Sequence, residues 1–414
     1  MDLRNYSLVT AAYWVFTITD GALRMIVLLH FHTLGYSPVQ IAFLFLLYEL
    51  CGILTNLFGG WIGSRTGLKA TLFAGLAIQI TALGTLSLLN PEWAPVLSVT
   101  FVMGMQALSG VAKDLTKMSS KSAVKLLVPA GSGNSESLLF KWVAILTGSK
   151  NALKGVGFFL GGLLLSLLGF ALSLQAMAAA VLLALIVTAI FLRGDMGRSK
   201  VKSRFRQLFS KSCEINLLSA ARFFLFGCRD IWFVVGLPIF LAEILEWNHE
   251  SIGGFLAVWV IGYGFVQASA PALFPNKGGM ESREGAKGIL IWGGVLTVLT
   301  ASIACAVHFD FYLLWSVMIG LGLFGIVFAL NSALHSYLIL SYSDSDKISL
   351  DVGFYYMANA CGRLAGTLLS GLTYLYAGLP GCLWTSAAFA LIATVITVWL
   401  PRTGACCEVF PKEK

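Results

Sequence analysis

Charged residues interrupt the long apolar segments of this chain, and nine of them are candidates for chemistry. Six are cations and three are carboxylates: Asp20, Arg24, Glu49, Lys150, Lys154, Arg222, Arg229, Asp230 and Arg363. A charged side chain at the centre of a helix in lipid costs about 2.5 to 3.5 kcal/mol, so these groups should face protein or water. A surplus of Arg and Lys attracts anions, and the guanidinium fork suits phosphate-like oxyanions. The set therefore predicts a site for an anion.

Helical spacing arranges the cations in pairs. Lys150 and Lys154 are four residues apart and Arg222 and Arg229 are seven apart, so the members of each pair share a helix face. We interpret these four residues and Arg363 as substrate-binding groups. The alternative is that Lys154 and Arg363 serve only as structural partners of carboxylates.

The three carboxylates are candidates for charge pairing or for proton coupling. Asp20 and Arg24 are four residues apart, so they either form an internal ion pair or leave Arg24 to bind substrate with the other cations. Glu49 either accepts a hydrogen bond in helix packing or exchanges protons. Arg229 and Asp230 are adjacent and point about 100° apart on a helix, so we do not expect them to pair.

A further row of lysines begins at the end of the fourth apolar segment and continues beyond it. It repeats every four residues: Lys113, Lys117, Lys121 and Lys125. Such a row can form a basic funnel at a cytoplasmic mouth. The positive charge expected of any cytoplasmic loop explains most of the row equally well.

The elements that must position these groups are membrane helices. Hydrophobic residues make up 57% of the 414 positions and charged residues only 12%, a balance that ordinary soluble domains do not show. About twelve apolar runs of about 20 residues recur along the chain. The fifth and sixth cover Leu139–Leu168 and Ala171–Leu192, and the last two cover Leu350–Tyr376 and Leu383–Leu400. The sequence predicts an all-α membrane protein with about twelve transmembrane helices.

Loop charges predict the topology. Lys and Arg concentrate in alternate loops and above all in the central connection, whereas the other loops contain neither. The positive-inside rule then places both termini in the cytoplasm. A nucleic-acid or lipid patch is a weaker interpretation of the central basic stretch, and we expect no nucleic-acid partner. The predicted parts are a six-helix bundle over 1–192, a basic linker over 193–213, a second six-helix bundle over 214–402, and a short cytoplasmic tail over 403–414.

The two halves resemble each other in sequence. Lys154–Leu163 matches Arg363–Leu372 in its leading cation and its small residues, and Leu108–Leu115 matches Leu323–Leu330. Asp20 and Asp230 lie at similar depths, and all three pairings share an offset of about 210 positions. A shared offset indicates an internal repeat in the same direction.

This arrangement resembles the major facilitator superfamily, whose substrate site lies between two six-helix halves near mid-membrane. Gly59–Lys69 also resembles the loop motif that follows the second helix in that superfamily. Ser64 stands where an acidic residue is usual, which puts the usual charge pairing of the motif in doubt. The resemblance implies a major facilitator fold, alternating access and, by default, a monomer.

Several longer strings are similar to one family within that superfamily, the bacterial organoarsenical efflux permeases of the ArsJ type. They are Phe16–Arg24, His30–Pro38, Leu108–Ser119, Leu146–Gly155 and Ser219–Asp230. The resemblance implies export of 1-arseno-3-phosphoglycerate across the bacterial inner membrane. It also implies a functional pairing with a glyceraldehyde-3-phosphate dehydrogenase that makes this compound from arsenate, and therefore arsenate resistance.

The implied substrate carries a phosphate at one end and an arsenate at the other. From charge and spacing we expect Lys150 and Lys154 to face Arg363 across a cavity, with Arg24, Arg222 and Arg229 nearby. The arsenic is pentavalent, so Cys406 and Cys407 need no role.

Two other classes of function fit parts of this sequence. A transporter of another organic phosphate or carboxylate needs only the cations and the repeat. A membrane sensor or a lipid-modifying enzyme is a remote alternative, because no soluble sensor domain, phosphate-binding loop, zinc-protease helix or nucleophile elbow is present in the sequence. His30 and His32 are two residues apart and face nearly opposite ways on a helix. We therefore expect no enzyme activity, cofactor or metal site.

Overall fold

The computed structural model describes residues 3–66, 68–90, 92–123, 135–192, 212–273, 282–342 and 348–400. Within these ranges every regular element is an α-helix. The elements in chain order are α1 (Leu3–Thr33), α2 (Pro38–Leu44), α3 (Leu46–Thr66), α4 (Leu68–Leu86), α5 (Pro95–Ala123), α6 (Ser135–Phe191), α7 (Cys213–Phe233), α8 (Gly236–Glu243), α9 (His249–Leu273), α10 (Ser282–His308), α11 (Leu313–Tyr342) and α12 (Ile348–Thr397).

Ten helical stretches in the described part of the chain are long and apolar enough to cross a membrane. Two of them, Ser149–Phe191 with 43 residues and Asp351–Thr397 with 47 residues, are each long enough for two crossings. The structure is thus that of a multi-pass, all-helical membrane protein. Twelve crossings and cytoplasmic termini remain predictions.

The chain bends sharply inside α6, at Gly169. The hydroxyl of Ser173 donates a hydrogen bond to the carbonyl oxygen of Leu164 at 2.9 Å. Nine residues of straight helix would advance by about 13.5 Å, so the two residues meet only because the chain turns between them. Gly169 has φ 71° and ψ −173°, a conformation that glycine adopts without steric cost. The bend lies in the gap predicted between the fifth and sixth apolar runs.

A similar bend divides α12. The hydroxyl of Thr373 donates a hydrogen bond to Sγ of Cys382 at 3.2 Å, although the residues are nine positions apart. Ala377 and Gly378 carry the non-helical dihedral angles, with φ 59° at Gly378. This bend lies in the gap predicted between the last two apolar runs.

One predicted run is broken where the sequence suggests continuity. The seventh run, Leu217–Leu241, is divided between α7 and α8. Pro238 lacks the N–H that would bond the carbonyl of Val234, and its ring crowds that carbonyl. The amides of Val235 and Gly236 instead donate to Oγ of Ser370 at 3.2 and 3.0 Å. A serine hydroxyl thereby satisfies backbone groups that the break would leave unbonded in an apolar setting.

The chain forms two compact units, and each takes a segment from the other half of the sequence. Unit 1 comprises Met1–Tyr36, Phe43–Ser203 and Glu246–Phe265, and unit 2 comprises Ser37–Ala42, Arg204–Leu245 and Val266–Lys414. The predicted boundaries at 192 and 214 stay a prediction, and the exchanged segments in α2 and α9 have no counterpart in it.

Close helix crossings hold the functional helices in each unit. In unit 1, α1 crosses α6 at Gly157, whose missing side chain lets the backbone of Ile18 approach. In unit 2, α7 crosses α12 at Gly366, where an added Cβ would lie 2.8 Å from the carbonyl oxygen of Gly227. Gly157 and Gly366 occupy matching positions in the sequence repeat. Close packing at a glycine therefore holds the charged helices together within each unit.

Candidate functional site

Arg222 is a buried cation on α7, with 3% of its surface exposed. Its Nη1 donates to the carbonyl oxygen and to Oγ of Ser332 on α11, at 3.2 and 3.1 Å. Gln267 on α9 donates to the same Oγ at 3.3 Å. Nε of Arg222 has no hydrogen-bond partner, and among the residues that the structure describes no carboxylate forms a salt bridge with this guanidinium. Within the described part of the chain, the hydrogen bonds of this buried positive charge all go to neutral groups.

Two further arginines share one carboxylate. Nε of Arg229 donates to Oδ1 of Asp230 at 2.6 Å, and Nε of Arg363 on α12 donates to Oδ2 at 3.3 Å. The Asp230 side chain is 1% exposed, whereas the two arginine side chains are 16% and 17% exposed. The expectation that Arg229 and Asp230 would not pair was wrong. The long arginine side chain reaches around the helix to its neighbour, so backbone direction alone did not decide the contact.

Phe226 lies between the two arginines of α7. Its ring centroid is 4.0 Å from Cζ of Arg222 and 5.0 Å from Cζ of Arg229. This agrees with the predicted common face of the two cations. Each guanidinium can gain cation–π attraction from the same ring.

We call Arg222, Arg229, Asp230 and Arg363 the arginine cluster. It contains three positive charges and one negative charge, all within unit 2. Retaining unneutralised charge in a membrane helix is costly. A cluster with this balance attracts anions, and its guanidiniums can each donate two parallel bonds to an oxyanion.

In unit 1, Arg24 is paired with Glu49 rather than with Asp20. Nη2 of Arg24 lies 2.7 Å from Oε1 of Glu49, and the side chains are 11% and 1% exposed. The alternative of an Asp20–Arg24 ion pair is therefore wrong. Glu49 lies one turn into α3 and reaches across to α1, so Glu49 acts as a charge-pairing residue in this structure.

Asp20 accepts a hydrogen bond from a tyrosine. The hydroxyl of Tyr48 donates to its Oδ1 at 2.6 Å in a buried setting. The ring of Tyr48 also lies 4.0 Å from Nζ of Lys113 and 5.4 Å from Cζ of Arg24. Tyr48 thus joins α1, α3 and α5 through one side chain.

Lys150 and Lys154 lie on α6 and are both half-buried. Nζ of Lys154 is 5.6 Å from the ring centroid of Phe158, one turn further along the helix. Both lysines belong to unit 1. Their predicted position opposite Arg363 stays a prediction.

Lys117 is engaged in packing between α3 and α5. Its Nζ lies 3.5 Å from Oδ1 of Asp114 and donates to Oδ1 of Asn56 at 3.1 Å, and Thr55 donates to Asp114 as well. A funnel role for Lys113 and Lys117 stays a prediction. Two members of the lysine row, Lys121 by its side chain and Lys125 altogether, lie outside the described residues.

Sequence reasoning missed several residues of these clusters. Asp114 is a buried carboxylate, and its spacing of three from Lys117 was the available signal. Ser332, Gln267 and Phe226 are uncharged residues in apolar runs. Nothing in their spacing distinguishes them from ordinary packing residues, because their role depends on helices that meet only in the folded chain.

His335 is buried on α11 and interacts electrostatically with Arg222, whereas His30 packs on an aromatic ring. His30 stacks on Phe170, with ring centroids 4.1 Å apart. Within the described part of the chain, no group of three or more His, Cys, Asp or Glu residues is arranged to hold a metal ion. Cys406 and Cys407 lie outside the described residues.

Comparisons with known proteins identify the fold. A sequence profile of the Major Facilitator Superfamily matches residues 9–279. No curated protein sequence matches the chain. The fold is similar to that of a crystal structure of a bacterial homologue of the iron transporter ferroportin in an inward-facing state, with a TM-score of 0.67 and 18% identity over 97% of this chain and 99% of that one. The chain therefore belongs to the major facilitator superfamily, and it is a multi-pass membrane transporter.

Proposed function

We propose that this transporter carries an organic anion and that its substrate is the phosphorylated organoarsenical 1-arseno-3-phosphoglycerate. The observation that supports an anion is Arg222, a buried guanidinium with no carboxylate in a salt bridge to it among the described residues. With Arg229 and Arg363 sharing Asp230, the cluster holds more positive than negative charge. An oxyanion would restore that balance and supply the missing acceptors.

Transport would follow the alternating-access scheme of the superfamily. The substrate binds where guanidiniums replace the water that solvated its charges. Binding must also be weak enough for release. The negative charge of Asp230 beside two of the three arginines limits the affinity for an anionic substrate. An interior-negative potential pushes each negative charge outward with about 2.3 kcal/mol per 100 mV, so the direction that suits this substrate is export.

The physiological setting is an inner membrane of a bacterium exposed to arsenate. A glyceraldehyde-3-phosphate dehydrogenase that accepts arsenate makes the substrate, and the transporter removes it from the cytoplasm. The compound then decomposes outside and releases arsenate. The strings similar to organoarsenical permeases support this part of the proposal.

A second candidate is export or exchange of another organic phosphate or carboxylate. The arginine cluster favours it equally, because guanidiniums recognise the oxyanion and not the element at its centre. The dehydrogenase dependence of resistance separates the two candidates.

The test is arsenate resistance and total cellular arsenic in a sensitive strain, with and without the dehydrogenase. The intact protein should give resistance only together with the dehydrogenase, and Arg222→Ala should abolish it at equal membrane abundance. Arg4→Ala, which changes an exposed arginine at the start of α1, is the matched control and should behave as the intact protein. Resistance without the dehydrogenase would point to the second candidate. Unchanged cellular arsenic in every strain would refute export of the arsenical.

A further inference from the structure

The arginine cluster contains two cationic groups that differ in how they are neutralised. At the first group, Arg222, the guanidinium binds the neutral oxygens of Ser332. At the second group, Arg229 and Arg363 both bind the carboxylate of Asp230. Among the described residues no carboxylate pairs with the first group, whereas the second group is paired with a carboxylate of the protein.

The two groups are close enough for one small molecule to reach both. Cζ of Arg222 and Cζ of Arg229 lie 4.0 and 5.0 Å from the centroid of the same Phe226 ring, which limits their separation to about 9 Å. Phe226 separates them with an apolar surface. A short carbon chain could lie along this ring with a charged group at each end.

Access to the two groups also differs. The side chains of Arg229 and Arg363 are 16% and 17% exposed, whereas Arg222 is 3% exposed and packs against the Phe226 ring. The second group is therefore the more accessible of the two.

We propose that Asp230 is an internal anion that makes this transporter selective for ligands with two terminal oxyanion groups. One end of such a ligand binds Arg222, and the other end takes the place of Asp230 on Arg229 and Arg363. The inference rests on the proposed anion transport and specifies the shape of its substrate.

The selectivity follows from effective concentration. Asp230 is held beside both arginines by the chain itself, so a free anion with a single charged end competes poorly with it. When one end of a ligand is bound at Arg222, its second end is also held nearby. That second end therefore competes with Asp230 for Arg229 and Arg363 on equal terms. An anion with one charged end therefore binds only the first group, whereas an anion with two charged ends binds both groups.

The experiment measures binding to the purified full-length protein in lipid nanodiscs by isothermal titration calorimetry. The probes are 3-phosphoglycerate, which has a phosphate and a carboxylate at its ends, and glycerol 3-phosphate, which has a phosphate only. The intact protein should prefer 3-phosphoglycerate by about tenfold or more, the value of one set of charge-assisted hydrogen bonds. Arg222→Ala should weaken the binding of both probes.

Variants of the second group test the role of Asp230. Arg363→Ala leaves Asp230 to neutralise Arg229, so the preference should fall to about one, and Arg363→Lys should restore part of it. Asp230→Asn removes the internal competitor, so glycerol 3-phosphate should gain binding at Arg229 and Arg363 and the preference for 3-phosphoglycerate should fall. Melting temperatures show whether each variant is folded. If Asp230→Asn does not fold, the comparison of Arg363→Ala with Arg363→Lys still tests the inference.

The outcomes distinguish this inference from the proposed function. Equal binding of both probes to the intact protein, still dependent on Arg222, would overturn the inference and leave anion transport standing. Equal weakening of both probes by Arg363→Ala would also overturn it, because that result indicates a structural role. Binding of neither probe, together with unchanged cellular arsenic in the resistance test, would refute the proposed function itself.

Discussion

The buried ion pair between Arg24 and Glu49 shows how one cation of the predicted set is neutralised inside the protein. Glu49 is 1% exposed and Arg24 is 11% exposed by side chain. Each charge therefore depends on the other for solvation, and together they add nothing to the positive surplus. Arg222 differs because it has no such partner in the described structure.

Arg24→Ala should lower the stability of the transporter strongly. It leaves the Glu49 carboxylate buried without its cation, a change that typically costs about 3 to 5 kcal/mol. Replacing both residues by apolar ones, Arg24→Met with Glu49→Leu, should recover most of the loss, because no uncompensated charge remains. The measurement is the thermal melting temperature in detergent, with transport assayed in parallel.

The double variant should also retain transport, since the pair is internally neutral. Loss of transport in a double variant that melts normally would return Arg24 to the substrate-binding set. Such a result would also show that the pair opens during the transport cycle.

The sequence alone was enough to single out the charged residues, but not to predict which of them pair with one another. The seven-residue spacing of Arg222 and Arg229 was enough to predict that they share one face of a helix. The pairs Arg24–Glu49 and Arg363–Asp230 join residues on different helices, and helical period says nothing about which helices meet. The length of arginine side chains adds further freedom, as the Arg229–Asp230 contact shows.

Among the elements, the crossings of α1 with α6 and of α7 with α12 depend on the absence of a side chain. An added Cβ at Gly157 would clash with the backbone at Ile18, and one at Gly366 would lie 2.9 Å from Cβ of Asp230. At Gly84 on α4 and Gly322 on α11, no heavy atom lies within 4 Å of an added Cβ. Gly157 and Gly366 therefore lie at close crossings, and Gly84 and Gly322 serve as their controls.

Gly157→Ala and Gly366→Ala should each destabilise the protein by about 1 to 3 kcal/mol through overpacking. Gly84→Ala and Gly322→Ala should be neutral or slightly stabilising, because alanine restricts the unfolded chain and suits a helix interior. Melting temperatures of the four variants in one detergent provide the comparison. Equal melting of all four would mean that the crossings do not depend on close backbone contact.

The bends and breaks of the helices were predictable only in part. Gly169 and Gly378 lie in short gaps between apolar runs, so composition indicated both bends. The division between α7 and α8 lies inside a continuous apolar run. Pro238 was a visible signal for it, but Ser370, which satisfies the amides of the break, is more than a hundred residues away in the chain.

The whole molecule is a multi-pass transporter with an excess of cations, 28 Lys and Arg against 20 Asp and Glu. Hydrophobicity predicted membrane helices, because lipid permits only helices or closed barrels. The internal repeat then supplied the resemblance to the major facilitator superfamily. The substrate stays a prediction. It depends on which charges remain unneutralised after folding, and that balance became visible only when the partners of Arg24, Arg229 and Arg363 were located.

A transporter that carries a multiply charged anion should respond to membrane potential. In inside-out vesicles, where export is measured as uptake, a potassium diffusion potential set by valinomycin with the interior positive should draw radiolabelled 3-phosphoglycerate inward. At about 2.3 kcal/mol per charge per 100 mV, the accumulation ratio at equilibrium changes by about 50-fold for each net charge moved. Equal potassium on both sides should remove the effect, and Arg222→Ala vesicles should show none. Uptake that is insensitive to the potential would mean that other ions balance the charge of each anion, either by exchange for another anion or by movement of protons. In that case the cation excess of the arginine cluster would select the substrate without providing the driving force.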